Sequence, residues 1–259
     1  MYKLHCLESC PSTNTWAIAH TAELGHGDVV FTRQQTAGRG QHGRTWYAPP
    51  GVLTASFVLD CLPTAQLPGL SLAAGLAVIY AVEDLLRAQQ GMLRLKWPND
   101  VLLEGRKLAG ILCETADGNS RGMTRVVVGV GLNRCADFTQ AGLDAELVGN
   151  AVSLHQISSV VPEELPLLER LQHYLVRVSE IISKPNDSPE SSGLAAFLPE
   201  LRHRDALLNR DVTLELAGEQ ISGQAMGIDS SGRLLVRLPN DQLRAFVSGR
   251  VVWWDRERM

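Results

Sequence analysis

Residues 93–114, LRLKWPNDVLLEGRKLAGILCE, decide the fold of the larger part of this 259-residue chain. The stretch holds three apolar, β-rich runs, LRLKW, DVLLE and KLAGILCE, which are separated only by turn-sized gaps. Strands joined by such short turns pair antiparallel, because a parallel pair needs a crossover of about a dozen residues or more. Pro98 has no backbone N–H to donate to a sheet, so it falls between two strands. The stretch therefore predicts an antiparallel meander.

Similar β-rich runs flank the meander: DVVFTRQ and GVLTASFVLD precede it, and TRVVVGVGL follows it. Helices are predicted over residues 67–87, which are mostly apolar, and over 163–182, where apolar residues repeat at three- and four-residue steps. A polar, Pro- and Ser-rich loop (183–193) and a short helix ending near residue 208 follow. We expect an α+β fold, a mixed and largely antiparallel sheet with the helices on one face.

The composition of the chain changes near residue 207. Beyond this point, apolar and polar residues alternate in short runs that are separated by turn residues. This alternation predicts a compact β-barrel of about five strands. We therefore divide the chain into a larger domain, 1–207, and a small C-terminal domain, 208–259.

The net charge of −4 gives the chain no global attraction to nucleic acid or to an anionic membrane. The five cysteines are odd in number and form no C-x-x-C pair, so we expect reduced thiols, a cytoplasmic protein and no metal site. The N-terminus lacks the pattern of a signal peptide, and no stretch reaches the roughly 18–20 apolar residues of a membrane span. Binding of phosphate would have to come from a local basic cluster.

Residues 36–46, TAGRGQHGRTW, contain the spacing G-x-G-x-x-G at Gly38, Gly40 and Gly43. In dinucleotide-binding folds a helix must follow this motif, because the helix N-terminus binds the pyrophosphate. Here RTWYAPPGVL follows, and its proline pair excludes a helical turn. A Walker loop is excluded as well, since the terminal Gly-Lys-[Ser/Thr] is missing.

The same loop carries Arg39, His42 and Arg44. A flexible basic loop of this kind can wrap an anion with its backbone N–H groups and guanidinium forks. We expect the loop to be disordered when empty and to become ordered on its ligand. An ordinary solvated surface loop is the alternative interpretation.

The WPND segment brings Lys96 and Asp100 close to Lys107 on the neighbouring strand. Lys107 directly precedes the apolar run LAGIL, so its ammonium lies at the edge of a sheet face, where it can neutralise a phosphate or a carboxylate. The alternative is a plain turn, for which Asn99 and Asp100 are well suited.

Two further clusters carry polar groups. Gly129 and Gly131 inside the run VVVGVGLN indicate that something approaches the strand backbone closely, and Asn133 either binds a ligand or ends the strand. Residues 12–14, STN, precede a short helix, and capping of that helix is the alternative to a binding role.

Together these clusters resemble the biotin protein ligases. The resemblance rests on STN, QQTAGRGQHGRTW, KWPNDV, RKLAGIL and VGVGLN, which occur in the family's order and at compatible separations. It extends through the C-terminal β-barrel and so covers essentially the whole chain. It implies a catalytic domain of the class II synthetase-like, biotin–lipoate ligase type, followed by an SH3-like barrel.

The resemblance implies a two-step reaction. Biotin and ATP, with Mg²⁺, first give biotinyl-5′-AMP and pyrophosphate. A lysine on a biotin carboxyl carrier domain, with that of acetyl-CoA carboxylase as the natural candidate, then takes up the biotin and AMP is released. Two anions meet in the first step, so cations are needed where charge accumulates.

Site residues follow from the resemblance position by position. The catalytic candidates are Lys107, Arg39 and Asp100. The biotin-binding candidates are Ser12, Thr13, Asn14, Gln35, Arg39, Gly40, Gln41, Lys107 and Gly110. The candidates for binding ATP or the adenylate are Arg39, Arg44, Trp46, Lys96, Asn99, Lys107, Gly131 and Asn133.

The sequence departs from the family pattern at Gln41. The family loop commonly reads G-R-G-R-x-G-R, and Gln41 replaces its second arginine, which removes one fixed cation near the phosphates. The motif STN begins at residue 12, which leaves no room for the N-terminal operator-binding domain of many bacterial members. We therefore expect a ligase without repressor activity, with no DNA or membrane partner.

Two other functions remain open at this point. A lipoate or octanoate ligase would share the catalytic fold, although KWPND and the barrel favour biotin. A non-catalytic module that binds biotin or the carrier is disfavoured by the presence of Arg39, Asp100 and Lys107. A homodimer through sheet edges agrees with the resemblance, but the sequence does not specify it.

Overall fold

Seven strands form the larger of two sheets in the computed structural model, which describes residues 2–116, 122–140, 145–184, 193–216 and 218–254. The strands are β1 (Leu4–Leu7), β2 (Val29–Thr32), β3 (Val52–Pro63), β4 (Leu93–Lys96), β5 (Asp100–Leu103), β6 (Arg106–Thr115) and β7 (Met123–Asn133). Their spatial order is β1-β2-β3-β7-β6-β5-β4, with only the β1–β2 pair parallel. The meander predicted from residues 93–114 is confirmed as β4, β5 and β6. The sequence does not predict β1, because its 4 residues form no apolar run.

Within the described residues, five α-helices accompany the sheets: α1 (Thr13–Ala19), α2 (Leu70–Leu85), α3 (Ala145–Asn150), α4 (Glu164–Ile182) and α5 (Leu198–Arg204). The helices predicted over 67–87 and 163–182 are α2 and α4. Helix α2 is apolar on nearly all sides because it is enclosed by the sheet and by α4 and α5. At its middle Gly75 packs on Leu95, whose Cδ2 would lie 2.5 Å from an added Cβ.

Helix α2 and the 3-10 turn before it form one continuous apolar segment. This segment, Thr64–Leu85, is by length and composition sufficient to cross a membrane, contrary to the expectation from the sequence that no stretch is long enough. In the structure 72 % of its most apolar window is buried inside the protein, which is the burial of a core helix.

Side chains alternate between the two faces of the larger sheet, as the two-residue period of a strand requires. Val29, Phe57 and Val128 face the main core with α2 and α4. Their neighbours Val30 and Val58 face the other side, where they pack with Ala17 of α1. Helix α1 is therefore an exception to the expected single helical layer, because it covers part of the opposite face.

The C-terminal domain is an antiparallel sheet of β8 (Asp211–Leu216), β9 (Glu219–Ile228), β10 (Leu234–Arg237), β11 (Leu243–Phe246) and β12 (Arg250–Trp254). Their spatial order is β11-β10-β9-β8-β12. The five strands agree with the prediction, but the edge strands β11 and β12 do not pair in the described part of the chain, so the expected barrel is not closed. Strand β8 begins close to the boundary predicted at residue 207, and that boundary stays a prediction.

The segment between β4 and β5 joins the two sheets. Trp97 is 1 % exposed, and its indole Nε1 donates a hydrogen bond to the carbonyl of Gly232 (3.1 Å). The backbone N–H of Ala206 donates to the carbonyl of Leu95 (2.8 Å). Most of the loop predicted over 183–193, namely residues 185–192, and the end of the chain, 255–259, lie outside the described residues.

Candidate active site

A pocket of about 420 Å³ lies on the sheet face that α1 only partly covers. Two cross-strand rows of mostly small residues underlie it, Thr54–Gly131–Gly110 and Ser56–Gly129–Leu112, and every member except the buried Ser56 lines the pocket. Because cross-strand neighbours point to the same face of a sheet, small residues in both rows leave a depression above three strands. The sheet thus builds a binding surface from β3, β7 and β6.

Two glycines of the floor are required by side chains that lie directly on them. The amide of Asn14 covers Gly129, where an added Cβ would lie 2.5 Å from Asn14 Oδ1. The indole of Trp46 covers Gly131, where the Cβ would lie 2.3 Å from Trp46 Cε2. The prediction that a group approaches this strand closely is confirmed.

One end of the pocket is a network of hydroxyl and amide groups between α1 and β3. Ser12 caps α1 by accepting from the backbone N–H of Thr15 (3.4 Å), so the capping interpretation is correct, and Ser12 also lines the pocket. The backbone N–H of Thr13 donates to Gln35 Oε1 (3.0 Å), and Ser56 Oγ donates to Thr13 Oγ1 (2.7 Å). These groups can read a small polar ligand by hydrogen bonds.

The glycine-rich loop is held against the pocket by one arginine. Arg39 forms an ion pair with Glu114 on β6 and donates through Nη1 to Thr15 Oγ1 (3.0 Å). Glu114 also accepts from Asn14 Nδ2 (2.9 Å). Arg44 is exposed to solvent but also lines the pocket, and its Nε donates to the carbonyl of Gln41 (3.2 Å). Ordering of this loop on a ligand stays a prediction.

The centre of the pocket contains the second charged pair. Lys107 Nζ lies 2.5 Å from Asp100 Oδ1, and both side chains are partly exposed. The Lys107 ammonium also lies 5.3 Å from the centre of the Trp46 ring, a favourable contact between a cation and the ring face. Asp100 does not line the pocket itself and reaches it through Lys107.

Two predicted asparagines line the pocket, but their side-chain amides donate hydrogen bonds to backbone carbonyls. Asn99 Nδ2 donates to the carbonyl of Ile111 (2.7 Å). Asn133 Nδ2 donates to the carbonyls of Lys107 (3.0 Å) and Val152 (3.1 Å). Both residues therefore fix the strands that carry Lys107.

Lys96 differs from the prediction, because it does not line the pocket. Its Nζ donates to the carbonyl of Val251 in the C-terminal domain (3.2 Å). In this structure the Lys96 ammonium therefore contacts the C-terminal domain. The other predicted residues line the pocket: Ser12, Thr13, Asn14, Gln35, Arg39, Gly40, Gln41, Arg44, Trp46, Asn99, Lys107, Gly110, Gly131 and Asn133.

Sequence reasoning misses Glu114 and Arg250. Glu114 lies two residues after Leu112 on β6, so strand alternation places it on the pocket face, and this signal was available in KLAGILCE. Arg250 lines the pocket from the C-terminal sheet, and no local pattern in the sequence connects it to a site more than one hundred residues earlier.

The electrostatics of the pocket favour an anion. Its lining includes the cations Arg39, Arg44, Lys107 and Arg250, and no carboxylate belongs to that lining among the described residues. Nor do the described residues contain a group of three or more His, Cys, Asp or Glu side chains that could hold a metal ion. Burial raises the pKa of Cys113 to about 12, so this thiol beside Glu114 stays protonated at neutral pH and is a poor nucleophile.

Comparison with known proteins identifies the family of the chain. Residues 6–133 match the model of the Biotin/lipoate A/B protein ligase family, and residues 207–254 match that of the Biotin protein ligase C terminal domain. The biotin–[acetyl-CoA-carboxylase] ligase of Mycobacterium tuberculosis is 38 % identical over 229 residues, which are 86 % of this chain and 79 % of that protein. The chain belongs to the biotin protein ligase family.

Other members of the biotin protein ligase family agree with this placement. The biotin–[acetyl-CoA-carboxylase] ligase of Paracoccus denitrificans is 32 % identical over 88 % of this chain and 91 % of its own length. The bifunctional ligase/repressor BirA of Escherichia coli is also 32 % identical over 87 % of this chain, but the match spans 66 % of BirA.

Solved structures of the family share the fold. The biotin protein ligase of Aquifex aeolicus in complex with biotin and ATP has a TM-score of 0.73 at 26 % identity, over 95 % of this chain and 96 % of that one. The Leishmania major ligase in complex with biotinyl-5-AMP has a TM-score of 0.62 at 22 % identity, over 94 % of this chain and 98 % of that one.

Proposed function

We propose that this protein activates biotin with ATP as biotinyl-5′-AMP and transfers the biotin to a lysine of a biotin carboxyl carrier domain. ATP-dependent ligation of biotin to protein is the activity of its family. The observation that carries the proposal is the placement of Lys107 and three arginines around one floor of small residues, beside a hydroxyl and amide network.

In the first step, a carboxylate oxygen of biotin attacks the α-phosphorus of ATP, and pyrophosphate leaves. Both reactants are anions, so the barrier falls when fixed cations surround the point where they meet. Lys107 holds the biotin carboxylate against the α-phosphate, while Arg39 and Arg44 neutralise the phosphate oxygens. Arg39 must first exchange Glu114 for its ligand, and because the Arg39 side chain is about half exposed to water, this exchange costs little free energy.

The network at the other end of the pocket binds the ureido group of biotin. Ser12, Thr13 and Gln35 offer hydroxyl, amide and backbone groups, and Thr13 is already held by hydrogen bonds with Gln35 and Ser56. A site built to form hydrogen bonds rejects analogues that lack the matching groups strongly. Gly110 and Gly131 leave room for the ring system and the adenylate, and Trp46, which lies on them here, covers the adenylate.

In the second step, a lysine amine of the carrier attacks the acyl carbon of biotinyl-5′-AMP. An amide bond forms, the bond between that carbon and the AMP phosphate oxygen breaks, and the amine loses a proton. Asp100 is placed beside Lys107 to orient the incoming amine or accept its proton.

Mg²⁺ would enter with ATP. The pocket lining offers hydroxyls, amides and cations but no carboxylate among the described residues, so the phosphate oxygens would supply the charged ligands of Mg²⁺. Its contribution would be to neutralise charge on the leaving pyrophosphate.

The names of two relatives support a choice of acceptor. The M. tuberculosis and P. denitrificans ligases are named for acetyl-CoA carboxylase, which supports the carrier domain of that enzyme as the acceptor. We further propose a cytoplasmic location, as the reduced cysteines predicted from the sequence indicate, while the lack of repressor activity stays an expectation from the sequence. Homodimerisation through sheet edges stays an expectation.

The test is to incubate the purified protein with ATP, Mg²⁺, biotin and an isolated carrier domain, and to measure the mass of the carrier. We expect one biotin per carrier, dependent on ATP, and no product with a carrier whose target lysine is replaced by arginine. Lipoate in place of biotin is the second arm, because the first family model covers both activities. A carrier modified only by lipoate, or by neither, would contradict the proposal.

A further inference from the structure

Arg250 is the one pocket cation that the C-terminal domain supplies, among the residues that the structure describes. It opens strand β12, and its guanidinium Nη1 lies 3.7 Å from Glu215 Oε2 on the neighbouring strand. Both side chains are about half exposed, 53 % and 45 %, so this contact stabilises little and leaves the guanidinium able to turn to another anion.

The position of Arg250 in the pocket follows from the order of the strands. One cross-strand row runs Thr54–Gly131–Gly110–Asp100–Lys96, from β3 to β4. At about 4.8 Å per strand, the row spans roughly 19 Å. The hydroxyl and amide network lies at its β3 end, Lys107 reaches its middle, and the C-terminal sheet adjoins its β4 end. Arg250 therefore lies on the far side of Lys107 from that network, and its positive charge is suited to the outer phosphates of a nucleotide whose α-phosphate is at Lys107.

Lys96 fixes this end of the row to β12. Its Nζ donates to the carbonyl of Val251, the residue next to Arg250 (3.2 Å). Immediately after it, Trp97 is fully buried against the C-terminal domain and donates to Gly232. The first two residues of the KWPND motif therefore contact the C-terminal sheet. Its last residue, Asp100, forms the ion pair with Lys107.

We propose that Arg250 binds the outer phosphates of ATP during adenylation, and that Lys96 is a positioning residue that acts through Arg250. This inference rests on the proposed function. Because biotinyl-5′-AMP lacks the outer phosphates, Arg250 binds substrate in the first step and has no phosphate to bind in the second. Lys96, expected from the sequence to contact the adenylate, instead holds the strand that presents the arginine.

The first experiment separates the two steps in Arg250→Gln. In biotin-dependent exchange of pyrophosphate into ATP, we expect the KM for ATP to rise about tenfold, which is the loss of one charge-assisted contact. The KM for biotin and the single-turnover transfer from synthetic biotinyl-5′-AMP to the carrier should both stay within about twofold. Arg250→Lys should recover part of the loss. Arg237→Gln, an exposed arginine on the same sheet, is the matched control and should leave every constant unchanged.

An unchanged KM for ATP in Arg250→Gln would overturn the proposal, and so would equal losses in adenylation and in transfer, which would indicate a general structural role. Failure of the proposed function is distinguishable, because wild-type protein would then form no biotinyl-5′-AMP at all.

The second experiment is a double-mutant cycle with Lys96→Met. If Lys96 acts through Arg250, Lys96→Met raises the KM for ATP severalfold alone and adds nothing to Arg250→Gln. Full additivity would show that Lys96 contacts the nucleotide directly and would overturn the positioning role. Lys96→Arg, which keeps a donor for Val251, guards against loss of folding and should retain a KM for ATP near the wild-type value, whereas an increase as large as that of Arg250→Gln would contradict the account.

Discussion

The pocket and the core beneath it use the same pair of groups, a cation and a carboxylate, in opposite ways. In the pocket, Lys107 and Asp100 form a pair whose side chains are 33 % and 18 % exposed. In the core, Arg204 on α5 holds Glu83 on α2 with two hydrogen bonds (2.7 and 3.0 Å), and both side chains are 8 % exposed. Water and a ligand can therefore compete much more readily for the first pair than for the second.

This difference in burial decides whether each pair contributes to the stability of the fold or to the chemistry of the pocket. Desolvated charges must stay together, because removing one partner leaves the other without compensation in a low dielectric. Partly exposed charges can exchange partners at little cost. The core pair therefore contributes to the assembly of helices and strands, while the pocket pair is free to contribute to chemistry.

The largest effect is expected from breaking the pocket pair with Lys107→Ala. Adenylation should fall about 10³-fold, because the cation at the developing charge is lost, while the free energy of unfolding changes by less than about 1 kcal/mol. Pyrophosphate exchange and urea unfolding measure the two quantities. Lys184→Ala, an exposed lysine outside the pocket, is the control. If the free energy of unfolding fell by as much as the activity loss when that loss is expressed as a free energy, the pocket pair would not differ from the core pair.

Breaking the core pair with Arg204→Met should have the reverse result. We expect a loss of roughly 3.5 kcal/mol in the free energy of unfolding, since Glu83 is left buried and unpaired. The kcat of the folded fraction should stay within about twofold. The double variant Glu83→Gln, Arg204→Met should recover much of the stability, and failure to do so would show that packing rather than charge dominates.

Asp205 extends the comparison, because its carboxyl is buried and forms no ion pair within the described part of the chain. Burial raises its pKa to about 6, opposed by hydrogen bonds from the backbone N–H groups of Leu207 and Leu208. Because the folded pKa lies above the unfolded value, its contribution is fully present below about pH 4 and is lost as the pH rises through about 6.

The free energy of unfolding of the wild type, relative to Asp205→Asn, should therefore fall by about 2 kcal/mol between about pH 4.5 and pH 8. Denaturation of both proteins across this range measures it, and other titrating groups cancel in the difference. A difference that does not vary with pH would mean that the carboxyl ionises normally in the folded protein.

The smallest effect is expected at Gln41, the residue of the glycine-rich loop that departs from the family pattern. Gln41 lines the pocket where the family pattern has an arginine, so Gln41→Arg should restore a cation and slow the release of biotinyl-5′-AMP about fivefold. Chasing labelled adenylate with unlabelled adenylate measures the rate. His42→Arg, the next residue in the same loop, is the control for added charge, and an unchanged or faster release from Gln41→Arg would refute the role assigned to position 41.

The antiparallel sheet was predictable because short turns leave a strand few pairing partners. Most of the pocket lining was predictable only because the motifs of the chain match those of the family position by position. The face occupied by α1 was not, since a 7-residue helix has too short an apolar stripe to choose a side. The position of the Lys96 ammonium could not be predicted for a related reason. Register puts it in the same row as Asp100, but only the docked C-terminal sheet shows that its ammonium has another partner. Arg250 is the clearest limit, because only the docked C-terminal sheet brings it to the pocket.

The central claim is that this pocket joins biotin to AMP, and rapid quenching of the protein mixed with biotin and labelled ATP, without carrier, tests it most directly. We predict about one biotinyl-5′-AMP per chain in the wild type, nearly none in Lys107→Ala, and a wild-type yield in the folded fraction of Arg204→Met. Absence of the adenylate in the wild type, or equal yields in wild type and Lys107→Ala, would contradict the account.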